Sequence, residues 1–152
     1  MEPGDILPFF QPVLSVADGS IYGYEVLGRR RMPDGSFQSL GPFFHDENSD
    51  LAERIEISRQ IRKDAFRTLN SLAPHQKLFV NIKPSWMWKY RSHDSLPTLD
   101  MLDELGVSGN RVVIEITEDE FYSSGGLFAI VGTGNEYEFL SIRKITHSGG
   151  TY

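Results

Sequence analysis

Residues 21–29 read Ile21-Tyr22-Gly23-Tyr24-Glu25-Val26-Leu27-Gly28-Arg29, and the fold is decided by how they are read. Apolar and other residues alternate through the first half, the period-two pattern of a β-strand. Glu25 stands where that strand should be ending, and Arg29 follows four residues on. A carboxylate and a guanidinium leaving a strand end together suit a divalent metal ion and a phosphate. Taken alone, the stretch favours a plainer reading, a strand whose end carries solvated charges. The surrounding chain changes that balance.

Upstream, Phe9 to Val16 reads as a first strand. Pro12 removes a ladder donor from it, so it belongs at an edge or sheet end. Ala17-Asp18-Gly19-Ser20 is a turn, and Asp-Gly between two strand-like runs predicts a hairpin. Downstream, Met32-Pro33-Asp34-Gly35 is a second turn, and residues 40–48 are irregular. A helix is predicted from Leu51 to Leu72, with Asp50 as N-cap and Glu53 as its reciprocal partner. Leu51, Ile55, Ile61, Ala65, Phe66, Leu69 and Leu72 form its apolar stripe. Arg54, Arg59, Arg62, Lys63 and Arg67 are mostly its solvated side, and Pro74 stops it.

Lys77 to Ile82 is a strand of the buried type, with Asn81 near its end and Pro84 closing it. Trp86, Met87, Trp88 and Tyr90 form an aromatic cluster suited to packing more than to base stacking. Leu99 to Leu105 is a short helix that Gly106 terminates. Val112 to Glu118 is the next strand, with Glu115 and Glu118 toward its end. The order strand, helix, strand, helix, strand is that of an α/β domain with a parallel sheet. Its right-handed crossovers put the carboxyl ends of these strands on one side.

Glu25, Asn81 and Glu115 therefore lie at or near the carboxyl ends of three successive parallel strands, where α/β barrels place their active sites. Two carboxylates and an amide oxygen make a hard, all-oxygen set that suits Mg²⁺ or Mn²⁺, whereas Zn²⁺ usually asks for His or Cys. Glu118 is an additional candidate. The competing reading is an acidic strand end and an asparagine that caps a loop, and spacing alone does not separate the two.

Composition bounds the rest. The chain has 152 residues, 39% hydrophobic, with ten Phe and six Tyr, enough for one domain with a real core. A net charge of −6 without a basic block argues against general nucleic-acid binding. Cysteine is absent, which excludes disulfides and thiolate metal sites and fits a reducing compartment. No apolar run approaches a membrane span and the first residues lack a basic leader, so a cytoplasmic location without membrane contact is expected.

Four runs, in order, carry a resemblance. They are Phe10-Gln11-Pro12-Val13, Glu25-Val26-Leu27-Gly28-Arg29, Val80-Asn81-Ile82-Lys83-Pro84 and Ile114-Glu115-Ile116-Thr117-Glu118. Together they resemble the EAL family, bacterial phosphodiesterases that linearise cyclic di-GMP, with Glu-Val-Leu in place of Glu-Ala-Leu. The likeness runs from about Ile6 to Phe121. It implies a modified β/α barrel whose first strand is antiparallel to the others, in agreement with the hairpin. It implies Glu25, Asn81 and Glu115 as ligands of Mg²⁺ or Mn²⁺, and Arg29 as a phosphate contact. Gln11 and Leu27 would line the nucleotide site. Glu25 and Glu118 would be its catalytic acids, although Glu118 is not clearly a direct ligand in the family.

The family's adjacent aspartate pair, its lysine and a further acid have no counterpart here: past Phe121 the acids are Glu136 and Glu138. A whole barrel takes about 250 residues. The expectation is a partial, half barrel of the TIM type in residues 1–121, truncated after the first half of the domain. Residues 122–152 form a segment that matches no family motif. Within it, 127–131 and 138–142 read as strands or as a short helix and a strand. Gly132-Thr133-Gly134, Lys144 and His147 are given no role, and residues 148–151 read as a loose tail. Two outcomes are expected for function. One is a cyclic di-GMP phosphodiesterase whose catalysis is impaired by the missing half. The other is a non-catalytic cyclic di-GMP-binding or protein-interaction module that dimerises through exposed sheet edges.

Overall fold

The longest strand organises the molecule. In the computed structural model, which describes residues 2–83, 86, 97–117 and 138–143, this strand, β2, spans Ile21–Arg31. It is the centre of two hairpins. Strand β1 (Ile6–Leu14) runs antiparallel along its length, from Ile6 opposite Arg30 to Leu14 opposite Ile21. Strand β3 (Phe37–Ser39) pairs antiparallel with its last residues, Arg29 to Arg31. Both turns are built on the same tripeptide. Asp18 Oδ1 accepts the N–H and hydroxyl of Ser20 at 3.0 and 2.7 Å, and Asp34 Oδ1 those of Ser36 at 2.9 and 2.6 Å. Gly19 and Gly35 sit between them at φ of 72° and 85°, a conformation that favours glycine.

Strands β4 (Lys77–Asn81), β5 (Val112–Thr117) and β6 (Glu138–Arg143) continue the sheet in parallel, in the order β1-β2-β4-β5-β6. The antiparallel first strand and the parallel arc are as the sequence predicts. Of the two segments left open beyond residue 121, 138–142 is a strand parallel to β5, and 127–131 lies outside the described residues. So do Met87, Trp88, Tyr90, Glu118, the Gly132-Thr133-Gly134 run, Lys144, His147 and the tail. No helix among the described residues is long and apolar enough to cross a membrane.

Alternation sorts the strand residues onto two faces. Val26, Leu78, Val80, Val112 and Ile114 share one face and join the main core with Ile57, Ile61, Ala65 and Phe66 of helix α2 (Leu51–Phe66). Helix α1 (Gly41–His45) adds Phe44, and helix α3 (Pro97–Glu104) adds Met101 and Leu102. Gly28 lies on this helix-facing side, where a Cβ would meet Ile61 Cδ1 at 2.6 Å and Leu40 Cδ1 at 3.1 Å. A parallel arc covered on one side by helices is the architecture of a partial β/α barrel.

Element ends follow local chemistry. Asp50 caps α2 by accepting the Ala52 N–H at 3.0 Å. The predicted helix is too long: α2 stops at Phe66, and a separate 3-10 turn, Leu69–Ser71, buries Leu69. Thr68 Oγ1 donates to the Ala65 carbonyl at 2.6 Å and helps close that end. Gly106, at φ 66°, ends α3, with the Val107 N–H reaching back to the Leu102 carbonyl at 2.9 Å. Residues 41–45, read as irregular, form α1, with Pro42 in its first turn.

Candidate functional site

The other face of the sheet carries the polar residues. Counting in steps of two from Glu25, this face holds Leu27 and Arg29 on β2, Phe79 and Asn81 on β4, and Val113 and Glu115 on β5. The register fixes their neighbours. Gln11 is the Cα partner of Glu25, Glu25 of Phe79, and Asn81 of Glu115. With adjacent strands about 4.8 Å apart and about 3.3 Å per residue along them, Glu25 lies roughly 8 Å from Asn81 between Cα atoms. That separation is within reach of a glutamate and an asparagine meeting over one small ion.

Burial distinguishes these carboxylates from solvated strand-end charges. Glu25 is 4% exposed and Glu115 is 6% exposed. Phe79, beside Glu25, and Val113, one step of two below Glu115, share the face and are also buried. Burying a charged carboxylate costs a great deal unless a cation or strong donors meet it. Asn81 Nδ2 is itself buried and has no hydrogen-bond partner. Among the described residues no three His, Cys, Asp or Glu side chains converge; the oxygens this face offers are those of Glu25, Glu115 and the Asn81 amide. This donor set fits a hard divalent ion bound through oxygen.

Arg29 emerges further up β2. Its Nη1 donates to the Gly28 carbonyl at 2.9 Å, and its guanidinium lies 5.7 Å from the centre of the Phe9 ring. Phe9 packs in turn on Phe37, with ring centres 4.9 Å apart. Both rings are partly exposed, so Arg29 stands on an aromatic shelf facing outward. Gln11 is exposed and Leu27 buried. Of the residues singled out in the sequence, Gln11, Glu25, Leu27, Arg29, Asn81 and Glu115 thus share one face, and Glu118 lies outside the described residues.

Two arginines of α2 depart from the solvated side that their charge predicts. Arg54 is only 8% exposed, its guanidinium 5.9 Å from the Trp86 ring centre. Arg62 is partly buried and donates to Ser58 Oγ at 2.5 Å. Arg54, Ser58 and Arg62 form a row at four-residue spacing, the signal that could have placed them on one inward-turned face. Burial, with Arg59 nearby, pushes the Arg62 pKa down to about 10. Lys83 follows β4, donating to the Phe44 carbonyl at 3.3 Å and lying 5.2 Å from the Trp86 ring centre. The pKa of His45 is lowered by partial burial of its ring and by the nearby charge of Lys83.

Comparison with known proteins places the fold in a family. The family model described as the EAL domain matches residues 1–127. The EAL-domain containing protein YkuI of Bacillus subtilis is 31% identical over 117 residues, covering 77% of this chain and 28% of that protein. Its crystal structure, in complex with its substrate c-di-GMP and calcium, superposes with a TM-score of 0.69 over 78% of this chain. The probable cyclic di-GMP phosphodiesterase PdeB of Escherichia coli is 29% identical, covering 80% of this chain and 23% of that protein. The EAL domain of FimX from Pseudomonas aeruginosa, bound to c-di-GMP, superposes with a TM-score of 0.62 at 26% identity, over 81% of this chain and 49% of that one. The chain spans about a quarter of the length of the curated relatives it matches. On the family match over residues 1–127 and the shared fold, the chain belongs to the EAL domain family.

Proposed function

We propose that the polar face binds cyclic di-GMP together with a divalent ion, Mg²⁺ or Mn²⁺. The observation that supports this most is the burial of Glu25 and Glu115 on one face, with Asn81 in register beside Glu115. In this reading Glu25, Asn81 and Glu115 hold the ion through oxygen. Arg29 meets a phosphate of the dinucleotide, and Gln11 and Leu27 line its site. Glu118 acts with Glu25 on the reacting phosphodiester. When bound, the ion polarises the phosphodiester and lowers the pKa of an attacking water. The calcium and c-di-GMP in the YkuI complex support the pairing of ion and nucleotide. A cytoplasmic site of action accords with the absence of cysteine.

Expressed by itself, the 152-residue polypeptide is expected to turn over cyclic di-GMP weakly. Its sequence holds no adjacent aspartates to match the pair that the resemblance implies for the rest of the site. Two-ion activation of water would then lack half of its ligands. The test is formation of the linear dinucleotide with Mn²⁺, beside calorimetric titration of cyclic di-GMP. Binding with slow turnover is the expected result. Turnover equal to that of PdeB measured alongside would contradict the impairment, and no binding would contradict the site.

A second reading is a non-catalytic module that binds the dinucleotide or a protein and acts as a homodimer. Its support is that, among the described residues, β1 and β6 end the strand order and so present outward edges. Pro8 and Pro12 remove donors from β1, which makes the β6 edge the better candidate for pairing. Sedimentation separates the readings, because a monomer that binds the nucleotide needs no second copy.

A further inference from the structure

The ladder between β2 and β4 ends early. Its last pair is Glu25 and Phe79, after which β2 turns to β3. The residues just past that point, Val26 on β2 and Val80 and Asn81 on β4, line a small cleft of about 20 Å³. Helix α2 covers it with Ser58, Ile61 and Arg62, and α1 covers it with Phe44. The cleft therefore lies where the two strands part, between the polar face and the helix layer.

Two buried donors without partners belong to residues that line it. They are Nδ2 of Asn81 and Nε of Arg62. Arg62 Nη1 is already engaged with Ser58 Oγ, which leaves the Nε–H as the donor still unmet. Side chains on a helix lean toward its N-terminus, so Arg62 reaches along α2 toward the end where the strands finish. A buried donor left unsatisfied costs about 1–3 kcal/mol, and one acceptor placed in this mostly apolar cleft would serve both residues. A cleft of about 20 Å³ accommodates a single water, whose oxygen accepts two hydrogen bonds.

We propose that Arg62 is a positioning residue for Asn81, joined to it by one water that accepts from Arg62 Nε and Asn81 Nδ2. The inference rests on the reading of Asn81 as a metal ligand. An asparagine amide has a donor end and an acceptor end. Holding the donor end in the cleft turns Oδ1 toward Glu25 and Glu115, the orientation an ion needs. Partners behind a metal ligand commonly set its affinity in this way.

The test replaces Arg62 in three ways. Arg62→Gln keeps an N–H donor at the position of Nε without the charge. Arg62→Lys keeps the charge but places a methylene there. Arg62→Met keeps the length and offers no donor. The first readout needs no metal: the ¹H–¹⁵N signals of the Asn81 side-chain amide. They should shift in the Met and Lys variants and stay near their wild-type position in the Gln variant, while distant backbone signals do not move. The second readout is Mn²⁺ affinity, which should fall about tenfold in Met and Lys and recover in Gln. An Asn81 signal unmoved by Met or Lys would overturn the proposal, as would Lys behaving like wild type or Gln behaving like Met. If one variant fails to fold, the other donor-free variant decides. Should the wild-type chain bind no Mn²⁺, the metal-site reading fails, and the amide signals still decide whether Arg62 anchors Asn81.

Discussion

Asn81 and Glu115 are Cα partners across the parallel ladder of β4 and β5, and the ladder continues one step beyond them, with the Ile82 N–H donating to the Glu115 carbonyl at 3.1 Å. Their side chains leave adjacent strands at the same level and on the same face, held by backbone hydrogen bonds on either side. Such a pair is preorganised: an ion bound here would meet two oxygens whose spacing is set by the sheet. Asn81→Ala should therefore weaken Mg²⁺ or Mn²⁺ binding by at least about tenfold with little change in far-ultraviolet circular dichroism. Calorimetry with the metal alone checks this.

Glycines on β2 should differ in their tolerance of a methyl group. At Gly28 a Cβ meets first Ile61 Cδ1 and Leu40 Cδ1, the far ends of flexible side chains, which give way more cheaply than backbone. At Gly23 it meets the Lys77 backbone carbonyl oxygen, and Phe79 Cε2 at 3.0 Å, so the β2–β4 ladder itself must move. Gly28→Ala is expected to cost about 1 kcal/mol and Gly23→Ala about 3 kcal/mol. Urea denaturation of both variants gives the order directly, and a smaller loss at Gly23 would contradict the close approach of these strands.

Arg111 clamps the loop that leads into β4. Its Nη2 donates to the Ala73 and Gln76 carbonyls at 2.9 and 3.1 Å, and its Nε to Gln76 at 3.3 Å. These bonds lie at the amino-terminal ends of β4 and β5, away from Asn81 and Glu115. Arg111→Met should lower stability by about 1.5–3 kcal/mol, the range for hydrogen bonds to a charged group, and leave metal affinity unchanged. Thermal denaturation beside a metal titration tests both halves of the statement.

Acid should act on the two turns of β2. Hydrogen bonds from the Ser36 hydroxyl, then from its N–H, hold the Asp34 pKa below the ordinary 3.8, and Ser20 does the same for Asp18. A carboxyl that is more acidic in the folded chain adds stability above its unfolded pKa of about 3.8. That contribution is lost as the pH falls through the lower, folded value. Ser36→Ala should move the Asp34 midpoint back up toward 3.8 in a carbon-detected NMR titration and leave Asp18 where it is.

The strand skeleton is legible because it depends on short-range periodicity and turn chemistry. Alternation in the first half of 21–29 marks β2, Asp18-Gly19 predicts the antiparallel start, and the order of strands and helices puts Glu25, Asn81 and Glu115 toward the carboxyl ends of their strands. Helix α2 was read less well. Leu69 and Leu72 keep the helical spacing, so the apolar stripe hid the break after Phe66, where Thr68 turns its hydroxyl on the Ala65 carbonyl. Arg54 and Arg62 were assigned to solvent by their charge. Their places beside Trp86 and beside Ser58 depend on tertiary packing, which helical spacing alone does not reveal. Strand β3 is three residues long and exposed, and it carries no periodic signal.

The central claim is that Glu25, Asn81 and Glu115 act as one ion site that supports cyclic di-GMP binding. The most direct measurement is a double-mutant cycle on Mn²⁺ affinity with Glu25→Gln, Glu115→Gln and the pair, followed by electron paramagnetic resonance. The account predicts that each single change weakens binding by at least about tenfold and that the double change costs much less than the two combined. Two independent, additive effects, or single variants that bind Mn²⁺ as the wild type does, would contradict it.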